Sequence, residues 1–369
     1  MEGSEENICW PIDIFVQKLP KLEVHAHLNG SISLSSLNKL LHKKNSENLE
    51  PVKESITFSK RDTLSLTEIE QTVSSFKDRA LPHQKTILPC QLESLATCDV
   101  IQEFAQDNVH YLELRSTPRE VAGQMSRRSY VETVLAAINK SQELGLDIIV
   151  KFLLSIDRRN PLAVAEETVH LAKEFMLSSD AMVGIDLSGD PCAGDACSFI
   201  PVLSCAKNAG LKLALHLGEV PDKNAECREL LKLFPDRIGH GTFLHSSKGA
   251  TNDVFSIVCV NQVPLEICLT SNVTSKTVSS YSDHHFNLWY SAGHPCILCT
   301  DDKGVFQTSL SNEYLKAAEH YHLNQEQLWN LSYSSIDHCF ADSEVKSVLK
   351  EKWKQLKNEL LPACPEMVN

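Results

Sequence analysis

The chain has 369 residues, of which 42% are hydrophobic and 22% charged, and its formal net charge at pH 7 is -13. This composition is typical of a soluble globular protein, and the acidic balance argues against broad binding to nucleic acid or to anionic membranes, which needs clustered positive charge. It does not exclude one small phosphorylated ligand, for which one or two arginines are enough.

The start of the chain, MEGSEENICWPIDIF, has neither the basic segment nor the apolar core of a signal peptide. No stretch reaches the roughly 18 uninterrupted apolar residues that a transmembrane helix needs. The 13 cysteines are odd in number and scattered, and many lie in apolar runs, as buried thiols of a reducing compartment do. We therefore expect a cytosolic protein without membrane contacts.

Eight short apolar or β-branched runs alternate along the chain with stretches long enough for a helix. The runs are KLEVHAHL, which begins at residue 21, and then 109–118, 146–157, 181–190, 211–219, 236–243, 263–272 and 295–304. Two of the intervening stretches, RSYVETVLAAINKSQELG and AVAEETVHLAKEFML, carry apolar residues at helical spacing. Alternating strands and helices predict an α/β fold with a parallel sheet, and eight units favour a closed (β/α)8 TIM barrel. A doubly wound sheet is the alternative.

The length permits a single domain over residues 1–369, because α/β barrels often exceed about 250 residues as one unit. Residues 1–18 would then form an N-terminal extension. The less regular segment 41–100 lies between the first two strands, and we expect a helical insertion there, placed as a lid over the barrel mouth.

Polar residues recur where the predicted strands end. In a barrel the carboxyl ends of all strands meet at one mouth, where enzymes with this fold place their active sites. The residues at these ends are His25 and His27, Arg115 to Arg119, Asp157, Gly189 and Asp190, His216 to Glu219, His240, Asn272, and Asp301 and Asp302. We therefore expect one site built from several strand ends.

Within this group, three imidazoles and one carboxylate form a nitrogen-rich set that suits a catalytic zinc ion. The set consists of His25, His27, His216 and Asp301. Glu219 is a candidate general acid, and His240 could either hold or deprotonate the water. Because zinc lowers the pKa of its water to about 7, these residues predict hydrolysis without a covalent enzyme intermediate.

Six motifs in this order carry a family resemblance: HAHLNGS, DLSGDP, HLGE, RIGHGT, CLTSN and CTDDKGVF. They resemble the adenosine and AMP deaminase family, and more closely its branch of N6-methyl-AMP deaminases. The resemblance implies one zinc ion per chain on the four ligands, with Asp301 also serving catalysis. Glu219 would donate a proton to N1 of the purine while His240 steers the hydroxide that attacks C6. Asp302 would contact N7 and the backbone of Gly189 would contact N3.

Two features favour the nucleotide branch of that family. Asn29 stands where adenosine deaminases usually carry an aspartate, which removes a negative charge near the sugar and phosphate. The segment RSTPR supplies hydroxyls and a guanidinium for a phosphate, although a turn fixed by proline would also explain it. The expected substrate contacts are His27, Asn29, Ser116, Thr117, Pro118, Arg119, Asp157, Gly189 and Asp302.

The leading hypothesis is zinc-dependent deamination of an N6-substituted purine nucleoside monophosphate, with N6-methyl-AMP converted to IMP and methylamine. Adenosine deaminase is the close alternative. An inactive purine-binding protein is the alternative from another class, because segment 66–98 does not show the aromatic-rich helix of the family and His83 is a doubtful counterpart of the family's substrate-binding histidine. We expect a monomer whose partner is a small purine nucleotide.

Overall fold

The computed structural model describes residues 10–46 and 89–361. Eight parallel strands follow one another in chain order around a barrel. They are β1 (Lys21–His27), β2 (Val109–Ser116), β3 (Ile149–Asp157), β4 (Met182–Ser188), β5 (Lys212–Leu217), β6 (Arg237–His240), β7 (Leu265–Ile267) and β8 (Cys296–Leu298). A parallel bridge between Ala26 of β1 and Asp301, three residues after the end of β8, joins the two ends of the sheet. The predicted (β/α)8 barrel is confirmed.

Helices connect the strands, and the two stretches with helical apolar spacing form α4 and α5 as predicted. In the described ranges the α-helices are α1 (Ile12–Lys18), α2 (Leu34–Ser46), α3 (Pro89–Gln106), α4 (Arg127–Glu143), α5 (Leu162–Met176), α6 (Ile200–Asn208), α7 (Asn224–Leu231), α8 (Asn252–Asn261), α9 (Leu269–Thr274), α10 (Phe286–Ser291), α11 (Leu310–Tyr321), α12 (Gln325–His338) and α13 (Ser343–Leu360). In α4 the Ser126 Oγ accepts a hydrogen bond from the Ser129 backbone at 3.1 Å and so caps the first turn.

Strand β2 illustrates how a charged interior forms inside an apolar shell. Successive strand residues point to opposite faces, so Leu112 and Leu114 lie on one face and pack in the apolar core. Tyr111, Glu113 and Arg115 share the other face, where the Tyr111 hydroxyl donates to Glu113 at 2.8 Å. Polar groups buried in this way need partners inside the protein, and they find them across the barrel.

The segment after α12 closes one end of the barrel. The Phe340 ring centre lies 3.4 Å from the guanidinium carbon of Arg237, which is the first residue of β6. The Phe340 backbone also donates to Glu113 at 2.6 Å. This closure is at the amino ends of the strands, opposite the predicted mouth.

Only the two ends of the predicted insertion at 41–100 lie in the described residues, where α2 ends at Ser46 and α3 begins at Pro89. The lid hypothesis, His83 and residues 1–9 of the expected N-terminal extension lie outside them. The single domain over residues 1–369 stays a prediction. Among the described helices, none combines the length and the apolar character required to cross a membrane.

Candidate active site

The mouth of the barrel brings the four predicted metal ligands together. His25 and His27 lie two residues apart on β1, and His216 lies near the end of β5. Asp301 follows β8 and is joined to β1 by two backbone hydrogen bonds, from His27 N at 3.0 Å and to His25 O at 2.9 Å. One ligand atom from each of the four lies within 4.8 Å of the other three. Three strands distant in sequence therefore build one cluster.

The spacing of these atoms fits the ligation of a single metal ion. His25 Nε2 and His27 Nε2 lie 3.3 and 3.4 Å from Asp301 Oδ1, and His27 Nε2 lies 3.4 Å from His216 Nε2. Ligands that share one zinc ion at bond lengths of about 2.0–2.1 Å lie roughly 3–4 Å apart. His25 Nε2 is buried and has no hydrogen-bond partner among the described residues, a costly state that a bound cation relieves.

Two carboxylates contact the Nδ1 atoms of two ligand histidines, on the side of each ring away from the cluster. Glu266 Oε2 lies 2.5 Å from His25 Nδ1, and Asp186 Oδ1 lies 2.9 Å from His216 Nδ1. A carboxylate at Nδ1 leaves the Nε2 lone pair directed at a metal. Arg115 links the two carboxylates, with its Nη atoms 3.1 Å from Asp186 and 3.0 Å from Glu266. The ligand rings are therefore oriented by the protein itself.

The electrostatics of the cluster favour a cation. Burial and the charge of Arg115 would lower the pKa of His25, but Glu266 and Asp301 outweigh them and raise it to about 9. Burial lowers the pKa of His27 to about 3, so this ring keeps its lone pair at neutral pH. Burial opposes ionisation of Asp301, yet the neighbouring histidines hold its pKa well below the ordinary value. A field that attracts a proton to His25 attracts a metal ion by the same charges.

Glu219 and His240 lie beside the ligand cluster. His240 Nε2 is 3.7 Å from Glu219 Oε2 and 3.8 Å from Asp301 Oδ2. Burial raises the pKa of Glu219 to about 7, so much of it is protonated at neutral pH. A carboxyl group in this state can donate a proton, which the role predicted for Glu219 requires.

The glycine before His240 is required by close packing. A Cβ atom at Gly239 would lie 3.0 Å from His25 Cε1 and 3.2 Å from His216 Cγ. His240 itself has a φ of +60°, a left-handed conformation that is uncommon for a residue with a side chain. Glycine at position 239 therefore lets the backbone of β6 approach the rings of His25 and His216 closely.

Two carboxylates expected to face the substrate pack against glycines. A Cβ at Gly189, whose φ is +98°, would lie 2.3 Å from Asp157 Oδ1, so only glycine suits that position. A Cβ at Gly30 would lie 1.6 Å from Asp302 Oδ1. Asp157 also accepts a hydrogen bond from the Arg159 guanidinium at 2.6 Å. Their contacts with substrate stay predictions.

The side of the mouth expected to hold the phosphate contains a short polar chain. Asn29 Nδ2 donates to Ser116 Oγ at 3.2 Å, and Ser116 Oγ lies 2.6 Å from the Tyr130 hydroxyl. That hydroxyl donates to Glu93 at 3.0 Å. Arg119 is half-buried and makes no hydrogen bond or ion pair with any residue of the described ranges. The residues predicted for the phosphate are Ser116, Thr117, Pro118 and Arg119.

Some supporting residues were not identified from the sequence. Asp186 and Glu266 interrupt the apolar strands β4 and β7, and a charge inside a buried strand is the signal that could have revealed them. Tyr130 and Glu93 lie on helices and carry no such signal. Arg115, which the sequence places among the mouth residues, is 0% exposed and lies in the barrel interior.

Comparison with known proteins places the chain in a family. The family model described as adenosine deaminase matches residues 20–356. The "N6-Methyl-AMP deaminase" of Bos taurus is 50% identical over 345 residues, or 93% of this chain and 96% of that protein. The apo structure of the N6-methyl-AMP deaminase from Arabidopsis thaliana superposes with a TM-score of 0.81 at 36% identity, over 94% of this chain and 99% of that one. The crystal structure of Arabidopsis ADAL complexed with IMP superposes with a TM-score of 0.80 at 36% identity, again over 94% of this chain and 99% of that one. The chain therefore belongs to the adenosine deaminase family of metal-dependent aminohydrolases, as its motifs predict.

Proposed function

We propose that this protein is a zinc-dependent deaminase that hydrolyses N6-methyl-AMP to IMP and methylamine. The observation that carries the proposal is the convergence of four metal-ligand atoms within 4.8 Å, at the mouth of a barrel in a chain that is 50% identical to an N6-methyl-AMP deaminase. The donor set of three imidazoles and one carboxylate supports zinc as the metal.

In the proposed mechanism His25, His27, His216 and Asp301 hold the ion, with the rings oriented by Glu266 and Asp186. When bound, zinc supplies Lewis acidity that makes a water molecule nucleophilic at neutral pH.

The substrate base would lie between the metal cluster and Glu219. Glu219 donates its proton to N1, which makes C6 electrophilic, and His240 orients the attacking oxygen. Asp302 contacts N7 and the Gly189 backbone contacts N3. Of the two protons of the attacking water, one restores Glu219 and the other goes to the exocyclic nitrogen as its bond to C6 breaks, so methylamine leaves neutral and C6 becomes the carbonyl carbon of IMP. Asp301 serves both as a ligand and as a charged neighbour of the reacting atoms.

The nucleotide specificity of the proposal rests on Asn29 and Arg119. Asn29 is neutral and already donates to Ser116 at 3.2 Å, so it places no negative charge beside a phosphate. Arg119 has hydrogen-bond donors that no described residue uses, and a guanidinium can bind phosphate oxygens in a bidentate way. His27, Thr117, Pro118 and Asp157 complete the proposed substrate contacts. The monomeric state and the cytosolic location belong to the same proposal.

A substrate panel tests the reaction directly. Zinc-loaded protein should release methylamine from N6-methyl-AMP with a higher kcat/KM than it deaminates AMP or adenosine. A preference for adenosine over both monophosphates would contradict the nucleotide assignment and favour adenosine deaminase. Absence of turnover in protein with stoichiometric zinc would favour an inactive purine-binding protein.

The change Arg119→Ala tests the phosphate contact. The KM for N6-methyl-AMP should rise about tenfold or more, because a hydrogen bond to a charged group contributes about 1.5–3 kcal/mol. Turnover of the unphosphorylated N6-methyladenosine should change little. Arg127→Ala is the matched control, since Arg127 forms its ion pairs with Glu120 and Glu167 at the surface. Equal losses for both substrates would count against Arg119 as the phosphate ligand.

A further inference from the structure

A buried chain of hydrogen bonds lies behind His240, on the side of the ring away from Glu219. Asn272 Nδ2 lies 3.2 Å from His240 Nδ1, and Asn272 Oδ1 lies 3.1 Å from His284 Nε2. The Phe286 backbone N lies 3.0 Å from His284 Nδ1. Asn272, His284 and His240 are 2%, 1% and 3% exposed, so water does not compete for these contacts.

The direction of every hydrogen bond in this chain is forced by its first member. The Phe286 backbone N–H can only donate, so His284 Nδ1 accepts. Burial holds the pKa of His284 well below its ordinary value, and the neutral ring therefore carries its proton on Nε2. That proton is donated to the Asn272 oxygen, which turns the amide NH2 toward His240 Nδ1. His240 Nδ1 must accept, and the ring carries its proton on Nε2.

The contacts of Thr277 fit the same amide orientation. Its hydroxyl donates to the Asn272 backbone carbonyl at 3.1 Å, and its oxygen is then free to accept from Asn272 Nδ2 at 3.2 Å. His285 adds a contact to the backbone, because its Nε2 donates to the His240 carbonyl at 2.8 Å. The rings of His284 and His285 stack with their centres 4.1 Å apart. Both the ring and the backbone of His240 are thus held from the same loop.

We propose that Asn272 and His284 are positioning residues that fix His240 in the tautomer with its proton on Nε2. This nitrogen faces Glu219 and Asp301, whose nearest oxygens lie 3.7 and 3.8 Å away. His240 then donates a hydrogen bond to the attacking oxygen and does not take a proton from it. From the sequence, His240 could either hold the water or deprotonate it, and the hydrogen-bond chain favours the first role. The identity of the attacking oxygen rests on the proposed function, whereas the tautomer does not.

Nuclear magnetic resonance of histidine nitrogens tests the tautomer without any turnover. Zinc-loaded full-length protein labelled with 15N-histidine should show a protonated Nε2 and an unprotonated Nδ1 for His240 in long-range proton–nitrogen spectra. The His240→Gln variant identifies the resonances. A proton on Nδ1 would overturn the inference. The expected tautomer in a protein that leaves N6-methyl-AMP unchanged would contradict the proposed function and leave this inference intact.

Two substitutions of His284 test its effect on the reaction. Glutamine can still donate to Asn272 Oδ1 and leucine cannot, so His284→Leu should lower kcat by about tenfold or more, as loss of a hydrogen bond made to the reacting oxygen does. KM and zinc content should stay unchanged, and the His240 resonances should become a mixture of tautomers. His284→Gln should restore most of kcat.

The matched control for these variants is His294→Gln. His294 is also a buried histidine, and its Nε2 donates to the Val263 carbonyl at 2.8 Å, but it precedes β8 at the opposite end of the barrel. Its kcat should equal that of the unaltered protein. Equal loss of kcat in His284→Leu and His284→Gln, or a loss of zinc that accounts for the decrease, would contradict the positioning role.

Discussion

The metal-ligand cluster and the ion network beneath it are both buried and polar, but they differ in what their side chains meet: each charge of the network meets an opposite charge, whereas the ligand atoms of the cluster converge on one point. The network consists of Glu113, Arg115, Asp186, Arg237 and Glu266. Each of its side chains is 0% exposed and forms an ion pair with an opposite charge. The cluster consists of His25, His27, His216 and Asp301, whose ligand atoms converge within 4.8 Å. Buried atoms without a hydrogen-bond partner among the described residues occur in both groups, His25 Nε2 in the cluster and Arg115 Nε and Asp186 Oδ2 in the network, so the convergence of ligand atoms is what distinguishes the cluster.

This difference distinguishes the network, which supports the site, from the cluster, which can bind a metal ion. A buried charge that already has an opposite charge beside it does not need a ligand, and removing one member of such a pair leaves the other as an uncompensated buried charge at a large desolvation cost. Converging nitrogen and oxygen lone pairs repel one another until a cation joins them. Because Arg115 bonds the carboxylates behind His25 and His216, the network also determines where the cluster's ligand atoms point.

The largest expected effect comes from breaking the cluster. Asp301→Asn removes its anionic ligand, so the variant should lose stoichiometric zinc and its turnover of N6-methyl-AMP should fall to background. Metal analysis and a methylamine assay measure both. Chelation of the unaltered protein should lower its Tm reversibly, since a ligand at 100 times its Kd stabilises by about 2.7 kcal/mol. A variant with full zinc and full activity would remove Asp301 from the ligand set.

Breaking the network should reduce metal binding less than breaking the cluster does, but it should strongly lower the stability of the fold. Arg115→Met leaves Asp186 and Glu266 without their shared cation, so the free energy of unfolding should fall by about 3–5 kcal/mol. Zinc affinity should fall about 10–100-fold, because the carboxylates behind the ligands lose their orientation. Denaturant unfolding and chelator competition measure the two quantities. Arg115→Lys keeps the positive charge, so its losses of stability and of zinc affinity should both be smaller. Unchanged zinc affinity in both variants would show that the network does not orient the ligands of the cluster.

Breaking an exposed ion pair should change stability least, and this variant serves as the reference for the buried network. Arg228 and Asp253 pair at the surface with side chains 37% and 49% exposed. Arg228→Gln should change the free energy of unfolding by less than about 1 kcal/mol, because water and salt screen such a pair. Zinc content and kcat should not change. A loss as large as that of Arg115→Met would mean that burial does not explain the difference between the two pairs.

Much of the fold could be predicted from the sequence because the relevant patterns are local. Eight apolar runs separated by helical stretches indicate the barrel, and alternation on β1 places His25 and His27 on one face. The ligand residues follow because strand ends share one mouth. The network could not be predicted in the same way, since charged residues such as Glu266 interrupt apolar strands without indicating their partners.

The family, the barrel and the residue types at its mouth follow from periodicity and short motifs, which can be recognised along the chain. The way in which those residues are held depends on contacts that exist only in the folded protein. His25 meets Glu266 across 241 positions of the chain, and the direction of the chain of hydrogen bonds behind His240 depends on a backbone donor at Phe286. Such pairings form between distant segments that burial brings together, and a hydrogen bond has a direction only when both of its partners are in place.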